Sequence, residues 1–79
     1  MVFKKLREIR RQKNVKVKEL SEKLGLKTEG AYYKKETGNV EFTLQESKII
    51  SDILKKPIEE IFEEIFFENT LSLQDNTHR

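Results

Sequence analysis

The chain has 79 residues, 38% charged and 35% hydrophobic, which describes one small domain with an economical core. It contains no Cys, so disulfides and thiolate metal sites are excluded, and its 3 Gly and 1 Pro are too few for a fold of many turns. The net charge of +2 joins two unlike halves: residues 1–35 hold 12 Lys+Arg against 4 Asp+Glu, or +8, and residues 36–79 hold 4 against 10, or −6.

A basic first half suits a polyanion such as DNA, or else it is simply a solvated surface. The start Met1-Val2-Phe3-Lys4-Lys5 has no apolar stretch of the signal-peptide kind. No apolar run approaches the roughly 18 residues of a membrane span. The expectation is therefore a cytoplasmic protein with no membrane partner.

The first predicted helix runs from Val2 to Lys13. Phe3, Leu6 and Ile9 recur every three residues, with Lys4, Lys5, Arg7, Glu8 and Arg11 on the other face. Asn14 suits a left-handed stop. The second helix spans Val17 to Leu24, with Val17, Leu20 and Leu24 stacked one turn apart. Gly25 closes it and Leu26 follows as an apolar plug. The third spans Glu29 to Glu36 behind a Thr28 N-cap. Ala31, Tyr32 and Lys35 face inward; Glu29, Gly30, Tyr33 and Lys34 face outward. Gly30 weakens this helix by roughly 1 kcal/mol relative to Ala.

The fourth helix opens at a capping box, Thr43-Leu44-Gln45-Glu46, and Leu44, Ser47, Ile50 and Ile53 or Leu54 form one face. The fifth begins with Pro57 in the first turn. Its Ile58, Ile61, Phe62, Ile65 and Phe66 make the strongest apolar stripe in the chain. A helical domain over residues 1–67 and a polar tail over 68–79 follow. Thr70-Leu71-Ser72-Leu73-Gln74 alternates within that tail. The link from Gly25 to Thr28 is short and contains Gly, the kind of turn that makes a crossed helix pair.

The runs LREIRRQKN, VKVKELSEKLGL and YYKKETG, taken together over residues 2 to 67, resemble the phage-repressor/Cro-like (XRE) helix-turn-helix family. The Y-x-K-K-E-x-G and FTL-x-E segments are similar to its subset from phages of Gram-positive bacteria. The resemblance implies an all-α, five-helix, lambda-repressor-like DNA-binding domain. It also implies a transcriptional regulator, a repressor above an activator, acting as a homodimer on a double-stranded DNA operator. Arg10 and Glu36 match a structural ion pair between helices 1 and 3. Glu29, Gly30, Tyr33 and Lys34 match the positions that reach base edges, and Thr37 and Gly38 match a turn whose backbone approaches phosphate. Three departures weigh against tight DNA binding, and two of them, the helix 2 opening and the loop after helix 3, favour an alternative: a protein-interaction module of a phage switch, an anti-repressor or antitoxin-like partner of a second regulator protein, that uses the C-terminal helix. Lys16 and Val17 stand in the Thr-Gln slots that open helix 2, the turn at Leu26-Lys27 is one residue longer, and the loop Asn39-Val40-Glu41 lacks basic residues.

Arg11, Lys13, Lys16, Lys27, Lys34 and Lys35 surround the expected DNA face, where phosphate contacts supply most of the nonspecific affinity. Lys34 can donate to guanine O6/N7, and Tyr33 either meets a thymine methyl or packs beside Tyr32. Glu29 either accepts from cytosine N4 or is a first-turn helix charge. Ile65, Phe66 and Phe67 exceed what the core needs and are expected at a dimer interface. No cofactor and no enzyme activity are expected: His78 is the single His, and there is no phosphate loop or H-E-x-x-H pattern.

Overall fold

The computed structural model describes residues 1–66. The expectations for Phe67 and for the tail over 68–79, and with them the domain boundary, lie outside the described residues. Within 1–66 the protein is all-helical: α1 (Lys4–Gln12), α2 (Val17–Lys23), α3 (Glu29–Glu36), α4 (Leu44–Leu54), α5 (Ile58–Ile61) and a further helical turn at 63–66.

Each boundary has a local cause. Asn14 takes a left-handed φ of 59°, which ends α1 and turns the chain toward α2. Gly25, at φ 75°, closes α2, and the Leu26 amide reaches back to the Ser21 carbonyl at 2.8 Å. The Thr28 hydroxyl accepts from the Ala31 amide at 3.1 Å. Thr43 and Glu46 form a complete capping box, with bonds of 3.0 and 2.8 Å. Lys55 ends α4 in the left-handed region at φ 56°, a position where glycine would be the usual residue. Its cost is offset locally, since the Lys55 amide donates to the Ser51 carbonyl at 2.8 Å and the Ser51 hydroxyl donates to the Lys56 carbonyl at 2.6 Å.

Three expectations are corrected. Pro57 is the N-cap of α5, with extended ψ of 151°, and not its first helical residue. The apolar stripe is not one helix: Phe62 leaves helical geometry at φ −109° and ψ 41°, which lets its ring turn into the core. Leu44 does not join the buried face of α4 and is 69% exposed. At about 100° per residue it lies roughly 100° around the helix from the Ile50–Leu54 line.

The core gathers Phe3, Leu6, Ile9, Val17, Leu20, Tyr32, Ile50, Leu54, Ile61 and Phe62. Phe3, Phe42 and Phe62 form a triangle of edge-on rings, with centroids 5.3–5.6 Å apart. It joins the N-terminus, the loop before α4 and the end of α5. A second link closes the same region. No side chain of its own caps α1; instead the Glu64 carboxylate accepts from the amides of Lys4 at 2.9 Å and Lys5 at 3.1 Å. A negative charge there also meets the positive end of the helix.

Removing that distant cap should loosen both ends of the chain. We expect Glu64→Ala to lower stability by about 1 kcal/mol, the usual size of a lost N-cap, and Glu64→Gln to cost less because its amide oxygen still accepts. Urea unfolding of the two variants checks this. Equal midpoints for Glu64→Ala and wild type would remove Glu64 from the capping role.

Candidate nucleic-acid interface

The helix pair α2–α3 is held by its turn and by what lies beneath it. Leu20 is fully buried under the pair, and Leu24 and Leu26 pack against the core from either side of Gly25. Val17, in the first turn of α2, is also a core residue, 5% exposed.

The end of α3 is fixed by a buried carboxylate. Glu36 is fully buried. Arg10 donates to it through Nε at 3.1 Å and through a terminal nitrogen at 3.2 Å. Arg7 donates through Nε at 3.1 Å, and the Tyr32 hydroxyl donates at 2.8 Å. Burial by itself would raise the Glu36 pKa, but the hydrogen bonds from Arg10, Tyr32 and Arg7 outweigh it and hold the carboxyl below its ordinary range. Burial likewise opposes the Arg10 charge, and Glu36 more than restores it. The Tyr32 phenol is pushed well up, by burial first and then by the Glu36 charge. Arg7 and Tyr32 escaped the sequence reading, although both had a signal. Arg7 lies one turn before Arg10 on α1, and Tyr32 lies one turn before Glu36 on α3.

With α3 anchored on this side, its other face is open. Glu29, Gly30 and Lys34 are exposed, and Tyr33 is 45% exposed while its ring meets Tyr32 edge-on at 6.0 Å. Tyr33 therefore packs beside the core ring of Tyr32, as one of its two readings had it, and stays part exposed. Arg11, Lys13, Lys16 and Lys27 are exposed. One shallow depression brings Arg11, Asn14, Lys16, Glu29 and Tyr33 together, from the end of α1, the start of α2 and the first turns of α3. Lys13, Lys27 and Lys34 are not among the residues lining it.

Three residues expected at the DNA backbone make contacts within the protein. Lys35 is buried at 8% exposure, with Nζ 3.1 Å from Glu46 and 3.0 Å from the Glu41 carbonyl oxygen, so its charge is used inside the protein. Gly38, at φ 88°, is covered by the backbone of Met1; a side chain there would collide with it. Thr37 is half-buried, and its hydroxyl donates to the Tyr33 carbonyl at 2.8 Å.

A helix-turn-helix family model matches residues 6–61, well over half of the chain. The chain thus belongs to the helix-turn-helix family and is of its XRE kind, a class of DNA-binding transcription regulators. Comparison with curated proteins and with solved structures found no match. No helix among the described residues is long and apolar enough to cross a membrane, and no cluster of His, Cys, Asp or Glu among them could hold a metal ion.

The Glu36 cluster makes a prediction with a sign in pH. Glu36→Ala leaves the buried Arg10 without its partner and should cost about 3 kcal/mol, the lower end for breaking a buried pair. Because the folded-state pKa of Glu36 is depressed, its contribution is complete above the unfolded value of about 4.3 and is lost as pH falls through the folded pKa. Urea melts between pH 7 and pH 3 should show wild type and Glu36→Ala converging as the solution becomes acid. A constant gap between them would mean that the carboxylate charge is not what stabilises the fold.

Proposed function

We propose that this chain is a sequence-specific repressor of phage or prophage origin that occupies a DNA operator as a homodimer in the cytoplasm. In this reading α3 enters the major groove. Glu29, Gly30, Tyr33 and Lys34 meet base edges there, and Arg11, Lys13, Lys16 and Lys27 meet phosphates. The observation that carries it is that Glu29 and Tyr33 on the exposed face of α3 share one depression with two cations, Arg11 of α1 and Lys16 at the N-cap of α2. Phosphate contacts position a protein on the duplex, and base contacts specify the site.

The two kinds of contact separate experimentally. Lys34→Ala should cost roughly 1–3 kcal/mol on the preferred duplex and relax preference at one base position, since guanine O6/N7 matches its ammonium. Lys16→Ala should weaken binding to every duplex alike and reduce the salt slope by about one. Binding isotherms on a duplex selected from random sequences and on its scrambled version, at several salt concentrations, read both effects. If wild type shows no preference among duplexes even at low salt, the DNA reading fails.

The dimer rests on an apolar groove. Among the described residues, five of the seven large apolar side chains that are exposed line it: Met1, Val40, Leu44, Ile65 and Phe66. Apolar faces gathered in one place mark an interface, and two-fold pairing suits half-sites about one helical turn apart. We expect full-length protein to sediment as a dimer, and Ile65→Ser with Phe66→Ser to sediment as a monomer. Wild-type protein that stays monomeric at high micromolar concentration rules the homodimer out. The same groove also favours a second reading, a module that receives another regulator protein. That reading takes over if the duplex experiment shows no preference and the protein is monomeric.

A further inference from the structure

Lys34 and Lys35 are neighbours in sequence with opposite surroundings. The Lys35 ammonium is surrounded by the loop that follows α3. Its Nζ lies 3.1 Å from a Glu46 oxygen, 3.0 Å from the Glu41 carbonyl oxygen and 5.9 Å from the Phe42 ring centroid. The Glu46 oxygen it meets also accepts the Thr43 amide at 2.8 Å, so one carboxylate serves both as the capping-box acceptor of α4 and as the partner of a lysine on α3. The side chains of this pair are only 10% and 14% exposed. An ion pair so placed is little screened and geometrically fixed. The two short runs that stood out in the sequence, Tyr-Lys-Lys-Glu and Phe-Thr-Leu-Gln-Glu, are thereby tied to each other.

We propose that Lys35 is a positioning residue for DNA recognition: it clasps the loop 37–43 between α3 and α4, and so fixes the angle at which Tyr33 and Lys34 are presented, without touching phosphate itself. The proposal rests on the reading of α3 as the recognition helix. The loop has other ties to α3, the Asn39 and Val40 amides donating to the Lys34 carbonyl at 2.8 and 3.1 Å, but these hold only its first residues. The far side of the loop, Glu41 to Thr43, reaches α3 through the edge-on contact of Phe42 with Tyr32, 6.3 Å between centroids, and through Lys35, which supplies its polar tie.

The test uses full-length Lys35→Met, which keeps length and apolar contact but removes the charge, and Glu46→Gln, which keeps an acceptor for the Thr43 amide. Three quantities are measured: preference for the selected over the scrambled duplex, the salt slope, and amide exchange of residues 37–43 in the free protein. Both variants should lose about tenfold in preference, the size of one misplaced base contact. The salt slope should stay at its wild-type value, and exchange in the loop should be faster. The double variant should lose no more than either single one, because the two groups act as a unit. A slope reduced by about one in Lys35→Met would show a direct phosphate contact and overturn the proposal. Unchanged preference in folded variants with a lower melting temperature would make the pair merely structural, and would overturn it as well. If wild type prefers no duplex while loop exchange still quickens in the variants, the clasp stands as structure and the DNA reading is what has failed.

Discussion

A carboxylate placed out of reach of water must be neutralised by the protein, and Glu36 is such a group. Its two oxygens take bonds from Arg7, Arg10 and Tyr32, which leaves neither lone pair set idle. These donors come from α1 and α3, so the cost of burying the charge is met only when the two helices lie at one separation and one rotation. The Phe3 amide adds a backbone bond to the Glu36 carbonyl at 2.9 Å, tying the start of the chain to the end of α3. The orientation of the open face of α3 follows from this arrangement. A helix pinned on one side by two arginines of α1 can present its other side without drifting.

The second anchor is apolar and closes the opposite ends of the sequence. Phe3, Phe42 and Phe62 meet edge-on, and Glu64 caps α1 across more than fifty residues of chain. The break at Phe62 belongs to this anchor. Phe62, with non-helical φ and ψ, completes the triangle, and Glu64 two residues on reaches the amides of α1. A small domain gains most from contacts that join distant parts of the chain, since the few core residues must fix several helices at once.

The surface divides by chemistry in a way that the net charge hides. Around α3 the exposed groups include cations with long stems, Arg11, Lys13, Lys16, Lys27 and Lys34, beside the carboxylate of Glu29. Along the groove lined by Val40, Leu44, Ile58 and Ile65 the exposed area is mostly apolar. Gly38 also lines that groove, where the Met1 backbone rests on the turn that ends α3. Contacts made in the groove therefore lie close to the C-terminal end of α3.

Helix order and most boundaries were legible in the residues themselves, and the Arg10–Glu36 pair in the resemblance to the helix-turn-helix family. Periodicity, caps and positive-φ stops are local properties: Phe3-Leu6-Ile9, Thr28, the Thr43–Glu46 box, Asn14 and Gly25 each act within a few residues. What tertiary structure alone decided was the use of each charge and the path of the last helix. Lys34 and Lys35 look alike as sequence, but about 100° of helix rotation sends one to water and the other to Glu46. Arg7 reads as a solvated helix residue until Glu36 arrives from twenty-nine positions away. Phe62 and Leu44 behaved against pattern because packing partners, the aromatic triangle for one and none in the core for the other, are set by the whole fold. Local periodicity fixes which face a residue occupies on its own helix; only the assembled helices determine what that face meets.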